Sequence, residues 1–137
     1  MSSTLVEVEI TESIFINDWS LVEKNLKKLR EYGIAVSIDD FGSGYSSLNV
    51  LPKVSADVIK LDRLFLTENP DTERSRIFLR NIIDMLKMLG FRVIAEGVET
   101  EQQVQFLKAV GCDYIQGYYL ARPMPVPEFE QFLKNKK

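Results

Sequence analysis

Polar side chains recur in this sequence five or six residues after glycines placed to stop helices. Asp39 stands six residues after Gly33, Glu96 six after Gly90, and Gln116 five after Gly111. Each reads as the carboxyl end of a strand that follows a helix. Glu9 and Thr11 close the first such strand, Asp39 and Asp40 the second, and Lys60 and Asp62 the third, while Glu96 and Glu99 follow the fourth. In parallel α/β folds these strand ends share one face, and ligands bind there. Glu9, Asp39, Asp40, Glu96 and Glu99 on one rim would repel one another severely unless cations neutralised them. Oxygen donors favour hard ions, so Mg2+ or Mn2+ is expected rather than zinc. Adjacent carboxylates such as Asp39 and Asp40 suit the bridging of two ions, which activates water and stabilises an in-line phosphoryl displacement. Lys60 would then hold a phosphate oxygen or the attacking water. The predicted reaction class is metal-assisted hydrolysis of a phosphoester.

Plainer roles stand beside this one. A single acid after a strand is ordinarily a helix cap or a solvated charge, but four strand ends bearing such groups are harder to explain that way. Lys60 has a salt bridge to Asp62 or Asp57 as an equal alternative to catalysis. Gly42-Ser43-Gly44 resembles a phosphate-cradling loop only weakly, because it lacks the lysine and spacing of a P-loop, and it reads as a flexible turn. Trp19, the pair Met85 and Met88, and the phenylalanines sit at helical spacing and read as core.

Composition narrows the chemistry further. Among 137 residues there is no histidine, which excludes a histidine general base, a Ser-His-Asp constellation and imidazole metal ligands. The single cysteine, Cys112, excludes an internal disulfide and reads as a small buried residue in a reducing, cytoplasmic setting. With 17 basic and 20 acidic residues the formal charge is −3. That balance argues against a DNA or RNA polymer as partner. No apolar run approaches about 18 residues, so this segment is expected to make no direct membrane contact.

The elements that must position these groups follow from periodicity. Val6, Val8 and Ile10 alternate with Glu7, Glu9 and Thr11, predicting a strand over roughly Leu5 to Ile10. Asn17 or Asp18 can cap a helix carrying Trp19, Val22, Leu26 and Leu29 that stops at Gly33. Ile34 to Ile38 reads as a buried parallel strand. A short helical turn near Ser47 to Leu51, ended by Pro52, precedes a strand over Ala56 to Leu61. A helix over about Thr72 to Leu89 stops at Gly90, and Phe91 to Ala95 is again a buried strand. Thr100 and Gln103 form a capping box for a helix through Val110, followed by a strand at Tyr114 and Ile115. Pro123, Pro125 and Pro127 lead into a last amphipathic helix with Phe129 and Phe132. This alternation predicts a parallel sheet covered by helices, either a five-stranded doubly wound sheet or part of an eight-stranded β/α barrel, which typically takes about 250 residues.

Five segments taken together are recognisable. Glu9-Ile10-Thr11-Glu12-Ser13, Asp39-Asp40-Phe41-Gly42-Ser43-Gly44-Tyr45-Ser46-Ser47-Leu48, Ile59-Lys60-Leu61-Asp62, Ala95-Glu96-Gly97-Val98-Glu99-Thr100 and Gln116-Gly117-Tyr118 resemble the motifs of the EAL-domain family of cyclic di-GMP phosphodiesterases, in order, over about residues 5 to 133. The resemblance implies a TIM-like β/α barrel that hydrolyses cyclic di-GMP to linear pGpG with two Mg2+ or Mn2+ ions. It implies that Glu9 is a ligand of one metal, that Asp39 bridges both, and that Asp40 serves the second with Glu96 beside it. Lys60 would position or deprotonate the water, assisted by a polar network of Glu99 and Gln116. Glu12 matches the glutamate that anchors a regulatory loop, here Phe41, Gly42, Ser43, Gly44, Tyr45, Ser46 and Ser47, which the family uses to couple a dimer interface to the metal site. Ser43 stands where many members carry threonine.

The family's Glu-Ala-Leu motif and a following asparagine, both ligands of the first metal, lie upstream of the first strand and are absent from this sequence. The expectation is therefore a single truncated domain over residues 1–137. It would be a partial barrel of about five parallel strands with flanking helices, lacking the N-terminal strands and about a hundred residues short of a full barrel. Cyclic di-GMP hydrolysis is expected of the parent protein and not of this chain alone. A catalytically silent module that binds cyclic di-GMP or a protein partner is the alternative. Two unpaired parallel edges further predict a homodimer or strand-swapped oligomer.

Overall fold

The computed structural model describes residues 2–16, 18–43, 48–67 and 72–136. The strands are β1 (Glu7–Thr11), β2 (Ala35–Phe41), β3 (Val58–Leu61), β4 (Arg92–Ala95) and β5 (Tyr114–Ile115). The helices are α1 (Trp19–Glu31), α2 (Leu64–Thr67), α3 (Glu73–Met88), α4 (Glu101–Ala109) and α5 (Val126–Asn135), with 3-10 turns at Ser3–Leu5, Glu12–Ile16 and Leu51–Lys53.

Each long helix of the sheet-covering layer starts and stops by a nameable device. The carboxylate of Asp18 accepts from the Leu21 amide to cap α1, and the Thr72 hydroxyl does the same for the Ser75 amide at the start of α3. At α4 both halves of the Thr100–Gln103 capping box are made. All three helices end alike. Gly33 donates to the Arg30 carbonyl and Ile34 to Leu29, Gly90 to Lys87 and Phe91 to Leu86, and Gly111 to Lys108 and Cys112 to Leu107. These are Schellman closures, whose C′ residue must adopt positive φ, and the three glycines have φ of 74°, 93° and 78°. Because one closure feeds each of β2, β4 and β5, the same short count carries the chain to the far rim of the sheet every time.

The five strands are parallel and ordered β1-β2-β3-β4-β5. A doubly wound sheet reverses its strand order at a switch point, whereas this sequential order is that of barrel staves. The sheet is not closed, since among the described residues β1 and β5 each pair on one side only. Val36, Ile38, Ile59, Leu61 and Val93 from the strands pack against Leu26, Leu79, Ile83, Leu86 and Leu107 from the helices to form the core. At the amino-terminal rim two aspartates tie neighbouring strands. Asp57 accepts from the Val36 amide at 2.9 Å and pairs with Arg30 at 3.3 Å, and Asp113 accepts from the Val93 amide at 2.9 Å and pairs with Lys87 at 3.8 Å.

Several expectations are corrected. β2 runs on through Asp39 and Asp40 to Phe41 instead of ending at Ile38. Pro52 sits inside the Leu51–Lys53 turn, at a position where its missing N–H costs nothing, and does not terminate a preceding helical turn. Ser47, Asn17 and Lys137 lie outside the described residues. Met88 is 87% exposed, and Phe78 and Phe129 are also exposed, so helical spacing misassigned them to the core. Cys112 is half-buried, with its Sγ directed at the Val93 and Tyr114 carbonyls.

Candidate active site at the carboxyl rim

Thr11 of β1 lies in register with Asp39 of β2, and Lys60 of β3 lies beside Ile94 of β4, two residues before Glu96. The rim residues are thus brought together by simple parallel pairing. One irregularity shapes the centre. Ile38 pairs with Ile59 but Phe41 pairs with Leu61, so β2 carries one extra residue opposite β3. Successive residues of a regular strand point to opposite faces, and a bulge breaks that rule. Here the chain turns at Asp40, which adopts φ 52°. Asp is one of the few non-glycine residues that tolerates this conformation. Asp39 and Asp40 consequently both reach the same side, and carboxylate oxygens of Asp39, Asp40 and Glu96 lie within 4.8 Å of one another. The bulge is held by the Asp40 amide donating to Asp39 Oδ1 at 3.0 Å and the Ser43 amide donating to the Asp40 carbonyl at 3.0 Å.

Lys60 rises from β3 into this group and is nearly buried. Its Nζ donates to Glu9 Oε1 at 2.7 Å and stands 3.3 Å from Glu96 Oε1 and 3.6 Å from Asp39 Oδ1. Its salt bridges are therefore to the rim carboxylates and not to Asp57 or Asp62. Asp57 serves the opposite rim, and Asp62 Oδ1 accepts from the Leu64 amide at the start of α2.

The electrostatics follow from this crowding. Burial disfavours the Lys60 ammonium, but the hydrogen bond to Glu9 and the charges of Asp39, Glu96 and Glu9 outweigh it and hold the pKa above that of an ordinary lysine. Glu96 is pushed up to about 8, first by burial and then by its hydrogen bond to Asp39 and the Asp39 charge. Burial raises Asp39 as well, yet the bond from Glu96, the Lys60 charge and the Asp40 amide leave it below the usual aspartate value. Burial and the Asp39 charge thus favour the protonated form of Glu96, while the bond from Glu96 and the Lys60 charge favour the ionised form of Asp39. Asp40 is raised by burial and by the neighbouring Asp39 and Asp62.

The other expected site residues divide into two groups. Glu12 is buried, and its Oε2 accepts from the Gly42 amide at 3.0 Å, tying the turn after β1 to the end of β2. Phe41 is buried beneath that end. Gly44, Tyr45, Ser46 and Ser47 lie outside the described residues. Glu99 and Gln116 stand on the same rim but are exposed or half-exposed, and among the described residues their side chains hydrogen-bond neither each other nor Lys60. Their backbones do structural work. The Glu99 amide donates to Gln103 Oε1, and the Gln116 carbonyl accepts from the Val98 amide. Gly117 makes that last contact possible, since a Cβ there would lie 2.2 Å from the Val98 carbonyl oxygen. Asp62, placed by the sequence at the end of the third strand, stands close enough to Asp40 to raise its pKa, and its carboxylate also accepts from the Leu64 amide at the start of α2.

An all-oxygen set converging this closely fits a hard divalent cation. Asp39, Asp40 and Glu96 are the residues placed to hold one, with Glu9 alongside but engaged by Lys60.

Comparison with known proteins places the chain among relatives. The family model described as "EAL domain" matches residues 2–123. Cyclic di-GMP phosphodiesterase NbdA of Pseudomonas aeruginosa is 40% identical over 134 residues, which is 98% of this chain and 17% of that protein. The structure of PaMucR phosphodiesterase in a c-di-GMP complex superposes with a TM-score of 0.85 at 36% identity, over 94% of this chain and 52% of that one. The Klebsiella pneumoniae BlrP1 manganese/cy-diGMP complex gives a TM-score of 0.81 at 33% identity, over 90% of this chain and 31% of that one. The chain thus spans about a sixth of NbdA's length.

Proposed function

This chain belongs to the EAL domain family, and on that premise we propose that it carries the metal-binding carboxylates and lysine of a cyclic di-GMP phosphodiesterase that yields linear pGpG. The carrying observation is the convergence of Asp39, Asp40 and Glu96 around the carboxyl rim with Lys60 held among Glu9, Asp39 and Glu96.

In this reading Asp39, Asp40, Glu96 and Glu9 hold Mg2+ or Mn2+, with Asp39 shared between two ions. Such ions would supply a water activated at neutral pH and neutralise charge on the phosphodiester. Lys60, a nearly buried cation, orients a phosphate oxygen or the attacking water. Because Glu96 is shifted toward its protonated form, ion binding there would be favoured by rising pH. Glu12 fixes Gly42 and so the start of the segment that follows β2, which is read as a regulatory loop. Glu99 and Gln116 complete the polar lining when substrate is present. The setting is cytoplasmic, consistent with a nucleotide substrate, and no described helix is long and apolar enough to cross a membrane. The open edges of β1 and β5 support association of two copies.

A second reading, nucleotide binding without turnover, is favoured by the exposure of Glu99 and Gln116, whose side chains among the described residues do not contact Lys60. Incubating the purified chain with cyclic di-GMP and Mn2+, while following pGpG by chromatography and binding by calorimetry, separates the two. Turnover abolished by Asp39→Ala supports the hydrolase. Binding without turnover supports the module, and neither binding nor turnover points to a protein-interaction role, with hydrolysis confined to the parent protein.

A further inference from the structure

We propose that Lys60 is an exchangeable counter-ion: in the ion-free protein its ammonium neutralises the rim carboxylates that a divalent cation would otherwise neutralise, and the two compete for them. The inference rests on the metal-binding reading above.

Glu9, Asp39, Asp40 and Glu96 come from β1, the end of β2 and the residue after β4, and together they crowd four carboxyl groups at one rim. Among the described residues Lys60 is the cation in salt-bridge contact with them, and it reaches three of the four at 2.7, 3.3 and 3.6 Å. Two of those three, Asp39 and Glu96, also belong to the trio whose oxygens converge within 4.8 Å. A divalent ion taken up by that trio would draw on the same oxygens that now solvate the ammonium, at a distance where like charges repel strongly in a partly buried site. Glu9 lies at the shortest distance from Lys60 and outside the trio. Entry of a first ion into that trio would therefore weaken the Lys60 contacts to Asp39 and Glu96 and leave it with Glu9, so the lysine would move toward β1 until a second ion draws on Glu9.

The test uses the whole chain and Mn2+ alone as probe, with affinity read by electron paramagnetic resonance of free Mn2+ and folding by circular dichroism. Lys60→Met and Lys60→Gln are expected to bind Mn2+ at least about tenfold more tightly than the parent, while Lys60→Arg, which keeps the charge, stays near parental affinity. In chelator the two neutral variants are expected to melt below the parent and to recover on adding Mn2+. If either is unfolded in chelator, refolding on Mn2+ addition is the expected result. Unchanged or weaker Mn2+ binding in both neutral variants, or no ion-dependent recovery, overturns the proposal. Asp39→Ala separates the levels. Binding lost in Asp39→Ala but not tightened in the neutral Lys60 variants removes this inference alone, whereas binding indifferent to Asp39→Ala removes the metal-site reading itself. A parent that takes up no Mn2+ beside a Lys60→Met variant that does supports the competition, and uptake by neither refutes it.

Discussion

Asp40→Asn should stabilise the ion-free protein and remove most of its response to divalent ions. Asn keeps the backbone, because it shares with Asp a tolerance of the positive φ adopted at this position. What changes is charge. Carboxylate oxygens of Asp39, Asp40 and Glu96 lie within 4.8 Å of one another. Two unit charges at that separation repel by about 0.9 kcal/mol in bulk water and about 3.5 kcal/mol at an effective dielectric constant near 20. The site is partly exposed and Lys60 offsets part of the Asp39 charge, so a gain of about 1 to 2 kcal/mol is expected. For a chain of this length that is a rise in melting temperature of roughly 3 to 7 °C. Saturating Mn2+ reverses the order. An ion at about a hundred times its dissociation constant stabilises the folded parent by about 2.7 kcal/mol, and the variant, missing one of three converging ligands, forfeits most of that. Thermal melts of both proteins in chelator and in Mn2+ provide the assay. A variant that melts below the parent in chelator, or that keeps the full Mn2+ shift, would refute the reasoning that Asp40 is held in the fold at a cost for the sake of the ion.

Two further predictions concern stability. Asp57→Ala leaves the buried Val36 amide without its acceptor and Arg30 without its partner; a loss of about 1 to 3 kcal/mol in urea unfolding is expected, with Mn2+ affinity unchanged because the defect lies at the opposite rim. In chelator, stability should fall as pH rises toward 8. The folded pKa of Glu96, about 8, lies above its unfolded value, so the folded state retains a proton that the unfolded chain releases. The contribution is full below about pH 4 and is lost at up to about 1.4 kcal/mol per pH unit on approaching pH 8. Asp39, shifted the other way, acts at the acid end and not in this window. Glu96→Gln should flatten that slope, and urea titrations at about pH 5.5 and pH 7.5 measure it; equal slopes in parent and variant would contradict the raised Glu96 pKa.

Much of the fold is legible because helix termination and strand length are local. Gly33, Gly90 and Gly111 announce their closures, and the count from each to Asp39, Glu96 and Gln116 is enough, on residue types alone, to place polar groups on one rim. Sequential strand order is not local, so a doubly wound sheet fits the same periodicity and only the pairing of β1 through β5 excludes it. The bulge is equally hidden. Two adjacent acids in a strand should face opposite ways, and only the register shift between Ile38 and Phe41 turns both to the site. Met88 shows the opposite error: it lies at helical spacing from Met85, yet it is 87% exposed on the outer side of α3 while Leu86, two residues earlier, is buried. The engagement of Lys60 by Glu9, Glu96 and Asp39 joins residues far apart in sequence, and neither Asp57 nor Asp62, its neighbours along the chain, takes that part.

The sequential strand order also bears on how the chain comes to be folded. Partners in neighbouring strands lie between 20 residues apart, as Ile94 and Tyr114 do, and 34 apart, as Val58 and Arg92 do. Every pairing is thus with the strand just made. A chain emerging amino-terminus first can dock β2 on β1 before β3 exists and then add one helix and strand at a time, with each glycine closure ending a helix before the next strand is needed. The loop-closure cost is met in small instalments, and Lys60 of β3 can join Glu9 and Asp39 on strands already paired, so the acidic rim can gain this cation before Glu96 docks.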